Sequence, residues 1–380
     1  MKRIAHRLGP GHIGTERSVV GLHYGEAGRG EKAYLQASLH ADELPGMLVM
    51  HYLIGLLDAA EADGRVHGEI VLVPVANPIG LSQGLLHGRI GRFDAATGEN
   101  FNRGYPDYLA AVTSDVEAQL GPDAGANRAT VRAAMRAHND AIVAATELAA
   151  LRRTLSSLAV DADIVLDLHC DLDAVLHLYC ESPYWSQCEP LARLLGAEVS
   201  LLAKNSGGAS FDEHLSGVWW QLDERLERRL GAGRPAIPMA CMAVTVELRG
   251  QADVTHALAA RDARALFDFL VHRGLIAASS DGPPPLPPLR HPPSPLAASE
   301  DIVAPHAGVV VFAREPGDAI EAGDVVAEIV DPLAGLVTPL RAAYPGRLYA
   351  RSVRRYASPG DAVARIAGTF AFRTGHLLSP

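Results

Sequence analysis

The chain has 380 residues, of which 48% are hydrophobic and 21% charged, with a formal net charge of −10. That length suggests a main domain plus a smaller one, and the composition is that of a globular protein rather than a disordered one. An acidic chain without a long basic run argues against nucleic acid as a partner, and no stretch approaches the roughly eighteen apolar residues of a membrane span. The opening residues 1–12 carry basic side chains but no apolar core of a signal peptide, so a cytoplasmic protein is expected. Cys170, Cys180, Cys188 and Cys241 lack any CxxC spacing, and free buried thiols are the expectation.

Residues 18–24 and 33–39 are expected to pair as strands. The second run stops at His40 and Glu43, two metal-ligand types three residues apart. Pro45 fixes φ in the first turn of a following helix, so imidazole and carboxylate converge at the carboxyl end of a strand. Open α/β sheets hold ligands at that end. A hydrolytic zinc site also needs a distant third ligand, an open position for water and a carboxylate that moves protons. Residues 47–57 have the apolar density of a buried helix ending near Asp63-Gly64, and residues 69–76 form a continuous apolar strand. Strand, helix and strand in that order read as an α/β fold with buried parallel strands.

Residues 80–107 form a long loop rich in Gly, Arg, Asn and Asp, and loops of that length in a compact domain are usually functional. It carries Arg92, Asn102 and Arg103, groups that recognise carboxylates and polarised carbonyls. Residues 108–158, interrupted at Gly121-Pro122 and Gly125, read as two helices. Residues 163–169 are a buried strand ending on His169, the natural third ligand, with Asp167 on the same strand face placed to orient an imidazole. A further strand is expected over 174–180, and helices over 187–196, 211–230 and 253–273. Glu247 sits near the end of the apolar strand 242–250, where a carboxylate must be paired or catalytic. It is the candidate general base, with a salt bridge to Arg249 as the structural alternative. Residues 282–297 are proline-rich, with Pro283-Pro284-Pro285 and Pro287-Pro288 at their heart, and read as a semi-rigid linker. The expected domains are therefore 1–280, a linker over 281–298, and a small all-β unit over 299–380 built on Gly-Asp turns.

His40-Ala41-Asp42-Glu43, Asn100-Phe101-Asn102-Arg103, Asp167-Leu168-His169 and Val246-Glu247-Leu248-Arg249-Gly250 resemble, in order and spacing, the succinylglutamate desuccinylase and aspartoacylase family, deacylases of the zinc carboxypeptidase superfamily. The resemblance implies an α/β zinc-exopeptidase fold, a mixed sheet flanked by helices, followed by the β-unit. It also implies one Zn2+ held by His40, Glu43 and His169, with Glu247 activating water, Asn102 and Arg103 binding the substrate's α-carboxylate, and Arg92 facing the carbonyl oxygen. The substrate class is a small N-acyl carboxylate, and assembly as a homo-oligomer is left open. A metallocarboxypeptidase, a hydrolase of an aromatic or xenobiotic amide with Trp219, Trp220 and Tyr105 around the pocket, and a binding module without turnover are the alternatives. The C-terminal segment resembles the barrel-sandwich domains of biotinyl and lipoyl carriers, but no lysine follows Lys204, which excludes covalent attachment of either group. His306 is read as an ordinary structural histidine, with reach into the pocket by it or by Tyr344 left open.

Overall fold

The computed structural model describes residues 1–9, 11–279 and 282–378. Among them, nine strands form one sheet in the order Lys2–Leu8, Arg17–Tyr24, Glu69–Val73, Lys32–Ala37, Ile164–Asp171, Met242–Gly250, His177–Glu181, Val199–Ala203 and Ser294–Pro295. The four strands from Glu69–Val73 to Met242–Gly250 run parallel, so their carboxyl ends share one edge. Their interior positions are apolar on both faces, as a sheet covered on both sides requires. Helices Pro45–Ala62, Trp185–Leu195 and His256–His272 bury one face. Helices Ala124–Ala141, Glu147–Ala159 and Phe211–Leu230 bury the other.

Two expectations need correction. The strands Arg17–Tyr24 and Lys32–Ala37 do not pair, because Glu69–Val73 lies between them. Adjacency in sequence misled here, since the helix Pro45–Ala62 returns the chain to the inner position by a parallel crossover. The stretch 108–158 also breaks differently: a four-residue helix Ser114–Glu117 precedes Ala124–Ala141, and a second break separates the latter from Glu147–Ala159. Gly125 belongs to a first turn capped by Asp123, whose carboxylate accepts from the amides of Gly125 and Ala126. The later break is closed by Thr146, which caps the next helix at the Ala149 amide, and by Asn139, whose amide donates to the Arg153 carbonyl.

The proline-rich segment docks on the main sheet. Ser294–Pro295 lies parallel to Val199–Ala203, and Leu296 is buried with Val199, Leu201 and Tyr349. Beyond it, the strands from Ser299–Val303 to Ala362–Gly368 build two small sheets around Ile302, Val326, Ile329, Leu348 and Ile366. This β-unit is stitched to the main body where Ala350 and Arg351 pair with Ala174 and Asp173, and Arg351 Nε donates to Asp173 at 2.7 Å.

Candidate metal centre and active site

The chain leaves the strand Lys32–Ala37 at Ser38, a non-glycine residue at φ 63°. Asn77 holds the turn that follows: its amide donates to the Leu39 carbonyl and its oxygen accepts from the Gly80 amide, both at 2.8 Å. Helix Pro45–Ala62 then starts close against the sheet. A Cβ on Gly46 would stand 3.0 Å from that of Ala37 and 3.1 Å from that of Leu168, so only glycine allows this approach. The turn thereby brings His40 and Glu43 to the end of the neighbouring strand, where His169 emerges.

The three side chains are buried, and their ligand atoms lie within 4.8 Å of one another. His40 Nδ1 is 2.9 Å from Glu43 Oε1, and His169 Nδ1 is 2.8 Å from Glu43 Oε2. The outer ring nitrogens are held from behind. Asn100 Oδ1 accepts from the Asn102 amide at 2.8 Å, which fixes it as an acceptor, and it stands 2.9 Å from His40 Nε2. His40 Nε2 is therefore the protonated nitrogen. Burial lowers the His40 pKa, Glu43 opposes that and Arg92 reinforces it, which favours the neutral ring with its Nδ1 lone pair turned toward Glu43. Two acceptors at 2.9 Å need a donor or a cation beside them. Arg92 Nη1 approaches the pair from one side, at 3.2 and 3.5 Å.

His169 is oriented in the same way by Asp167 Oδ2, 2.9 Å from its Nε2. Asp167 in turn accepts from Gln36, and Gln36 accepts from the Tyr34 hydroxyl, a chain that is wholly buried. Burial pulls the His169 pKa down, but Asp167 and Glu43 outweigh it and hold the imidazolium form. Burial likewise opposes the Glu43 charge, and the two imidazoles overcome it and hold the carboxyl well below its ordinary range. Two imidazole nitrogens and a carboxylate, each oriented from outside, fit a divalent metal of borderline softness.

Glu247 stands beside His169 in the parallel register and lines the same cleft. Its Oε2 has no hydrogen-bond partner among the described residues. Burial and then the Glu43 charge push its carboxyl up to about 8. The alternative bridge to Arg249 is not formed: that guanidinium turns to Asp262 across a bulge in which Arg249 takes φ 66°.

Arg92 is placed by Gly91, whose carbonyl accepts from the Ala41 amide at 3.0 Å. A Cβ on Gly91 would fall 2.0 Å from the Asp42 amide nitrogen. Asn102 Oδ1 accepts from the Phe211 amide at 2.8 Å, which leaves its Nδ2 as the donor. Arg103 donates to the Asn102 carbonyl at 2.7 Å and lines the cleft with it.

The cleft encloses about 610 Å3 and gathers all seven residues singled out from the sequence. Its wall also includes Arg354, Arg365 and Leu378 from the β-unit, and neither His306 nor Tyr344. His306 instead bonds Thr338, and Tyr344 stacks on Phe372. Trp219, Trp220 and Tyr105 do not line the cleft: Trp219 is in the core, Tyr105 stacks on His214 inside it, and the Trp220 indole donates to Glu181. The roles of Asn100, Gln36 and Gly91 escaped the sequence reading, although Asn100 stands in the Asn100-Phe101-Asn102-Arg103 motif. Of these only Asn100 carried a signal, two residues before Asn102 in the functional loop.

The mixed sheet, the crossover helices and a buried His-Glu-His group at the sheet's carboxyl edge define a zinc-peptidase-like deacylase fold. Residues 29–273 match the succinylglutamate desuccinylase/aspartoacylase catalytic domain, and the chain belongs to that family. Its family is one of deacylases, which makes it an amide-hydrolysing enzyme. A succinylglutamate desuccinylase/aspartoacylase family protein from Shewanella amazonensis SB2B is similar over 97% of this chain and 98% of its own, at 28% identity and a TM-score of 0.83. One from Shewanella frigidimarina NCIMB 400 is similar over 97% of each chain, at 25% identity and a TM-score of 0.81. The product-bound ectoine utilization protein EutE of Ruegeria pomeroyi shares the fold at 18% identity, with 97% of this chain and 95% of that one covered and a TM-score of 0.65. No curated protein matches the sequence. Among the described residues no helix is long and apolar enough to cross a membrane.

Proposed function

We propose that the chain is a zinc-dependent hydrolase of the amide bond in an N-acylated amino acid or a similar small N-acyl carboxylate. The observation that carries this reading is the buried group of His40, Glu43 and His169, whose ligand atoms lie within 4.8 Å of one another at the carboxyl edge of the parallel strands. His40, Glu43 and His169 would hold the metal, which when bound supplies a water of lowered pKa and polarises the acyl oxygen. Glu247 takes the proton of the attacking water and delivers it to the leaving amine, a role its unpartnered oxygen and raised pKa support. Arg92 faces the acyl oxygen as negative charge develops on it. Asn102 Nδ2 and Arg103 hold the substrate's α-carboxylate, so that the scissile bond lies before Glu247. The products are a carboxylate and an amine, with water supplying the oxygen.

In this reading residues 1–280 form the catalytic domain, 281–298 the connection, and 299–380 a domain that closes the far wall of the cleft. Four free, buried cysteines support a cytoplasmic setting. The test is an amine-release screen of zinc-loaded protein on acetyl, formyl, succinyl and longer acyl derivatives of several amino acids, beside dipeptides. Release from one acyl class supports the reading. Activity on dipeptides alone replaces it with a carboxypeptidase.

A further inference from the structure

The loop that supplies Asn100, Asn102 and Arg103 is held from behind by side chains that do not line the cleft. Helix Glu147–Ala159 seats Leu148, Leu151 and Leu155 in the core. That stripe turns Arg152 and Ser156, one helical turn apart, toward the loop and the helix Phe211–Leu230.

Arg152 Nη1 donates to Glu99 Oε2 at 2.8 Å, and Nη2 donates to the Asn100 carbonyl at 3.1 Å. The same carbonyl accepts from the Arg103 amide at 3.2 Å, so Arg152 grips the atom that closes the turn from Asn100 to Arg103. Gly104, at φ 71°, lies against the face of this guanidinium: a Cβ there would stand 3.1 Å from Nη1, 3.2 Å from Cζ and 3.4 Å from Nη2. One side chain, only 13% exposed, thus braces residues 99–104.

Asn102 has an anchor of its own in the Phe211 amide, and Phe211 is fixed in turn by His214. Burial keeps that imidazole neutral, with its pKa down to about 3. Its Nδ1 lies 2.6 Å from the Phe211 carbonyl and carries the proton, which leaves Nε2 to accept from the Ser156 hydroxyl at 3.1 Å. The two anchors therefore divide the loop. Asn102 follows Ser156 and His214, whereas Asn100, whose side chain stands behind His40, and the backbone of Arg103 follow Arg152.

We infer that Arg152 is a positioning residue for both halves of the site, setting Arg103 for the substrate carboxylate and Asn100 for His40 while touching neither substrate nor metal. This deepens the proposed function and rests on its placement of the carboxylate at Asn102 and Arg103 and of the metal at His40. A misplacement of about 1 Å at such a distance from the chemistry can cost about a hundredfold in rate.

The test compares the full-length wild type with Arg152→Ala and Arg152→Lys, zinc-loaded, on a cleaved N-acyl amino acid and on its α-carboxamide. The wild type is expected to prefer the free carboxylate in kcat/KM. Arg152→Ala should lose at least about tenfold of that preference, chiefly through KM for the carboxylate substrate, and Arg152→Lys, with its charge but no fork of donors, should fall between. An unchanged preference in Arg152→Ala overturns the inference. So does an equal fall in kcat/KM for both substrates with a lower melting temperature, the signature of a residue that only supports the fold. Zinc affinity, measured by chelator competition, needs no substrate and should weaken about tenfold in Arg152→Ala through the contact of Asn100 with His40; unaltered affinity also overturns the inference. A wild type that cleaves no amide removes the proposed function instead and leaves the zinc measurement to decide for or against Arg152.

Discussion

Replacing Glu247 by glutamine separates what this carboxylate does for turnover from what it costs the fold. In the metal-free protein its carboxyl is pushed from an ordinary 4.5 up to about 8, first by burial and then by the charge of Glu43. A native acid that holds its proton more tightly than the unfolded chain leaves stability intact below pH 4.5 and erodes it as pH rises through 8. At about 1.4 kcal/mol per pH unit, that interval bounds the loss at roughly 5 kcal/mol. Water in the cleft screens part of it, leaving about 2–4 kcal/mol. Glutamine carries no charge to desolvate. The metal-free Glu247→Gln protein should therefore match the wild type near pH 4.5 and unfold about 2–5 °C higher near pH 9. Thermal unfolding of chelator-treated protein across this range reads the difference directly. Zinc should shrink the advantage, because a bound cation offsets the same charge in the wild type. The variant should keep its metal and lose about two to four orders of magnitude in kcat. Equal stability of the two proteins at pH 9, or a difference independent of pH, would refute the argument.

Two further substitutions probe the parts that position the site. Asp167→Asn removes the carboxylate behind His169 Nε2 and should weaken zinc affinity about 10–100-fold, measured by competition with a chelator; unchanged affinity would make Asp167 a packing residue only. Gly91→Ala puts a methyl group 2.0 Å from the Asp42 amide. It should cost about 1–3 kcal/mol of stability and lower kcat more than zinc content, because the shift falls on Arg92; equal losses of metal and activity would point to collapse of the His40 turn instead.

Much of this centre is legible in the sequence because its parts end strands. A buried strand reads as a largely apolar run, and an imidazole or carboxylate close to its carboxyl end marks the edge of the sheet. His40, His169 and Glu247 all announce themselves in that way. The helix Phe211–Leu230 is equally plain, bounded by Ser210 and Gly231. What escaped depends on contacts between distant segments. Which strand lies between two others follows from crossovers that hydrophobic runs do not record. Asn100 and Gln36 matter only because the fold brings them behind His40 and Asp167, and Gly91 because it touches the backbone of the ligand turn. The proline-rich segment carries the composition of a free linker, yet Leu296 finds a pocket on the sheet edge. Arg354 and Arg365 belong to strands and turns without a motif of their own, and only the docking of the β-unit places them on the cleft wall.

The most direct test of the account is zinc per chain, measured by mass spectrometry while the metal is removed and titrated back, with amine release followed in the same samples. The account predicts that activity vanishes with the metal and returns linearly to a limit of one zinc per chain, and that His169→Ala loses both together. Full activity in metal-free protein, or stoichiometric zinc retained by His169→Ala, would contradict it.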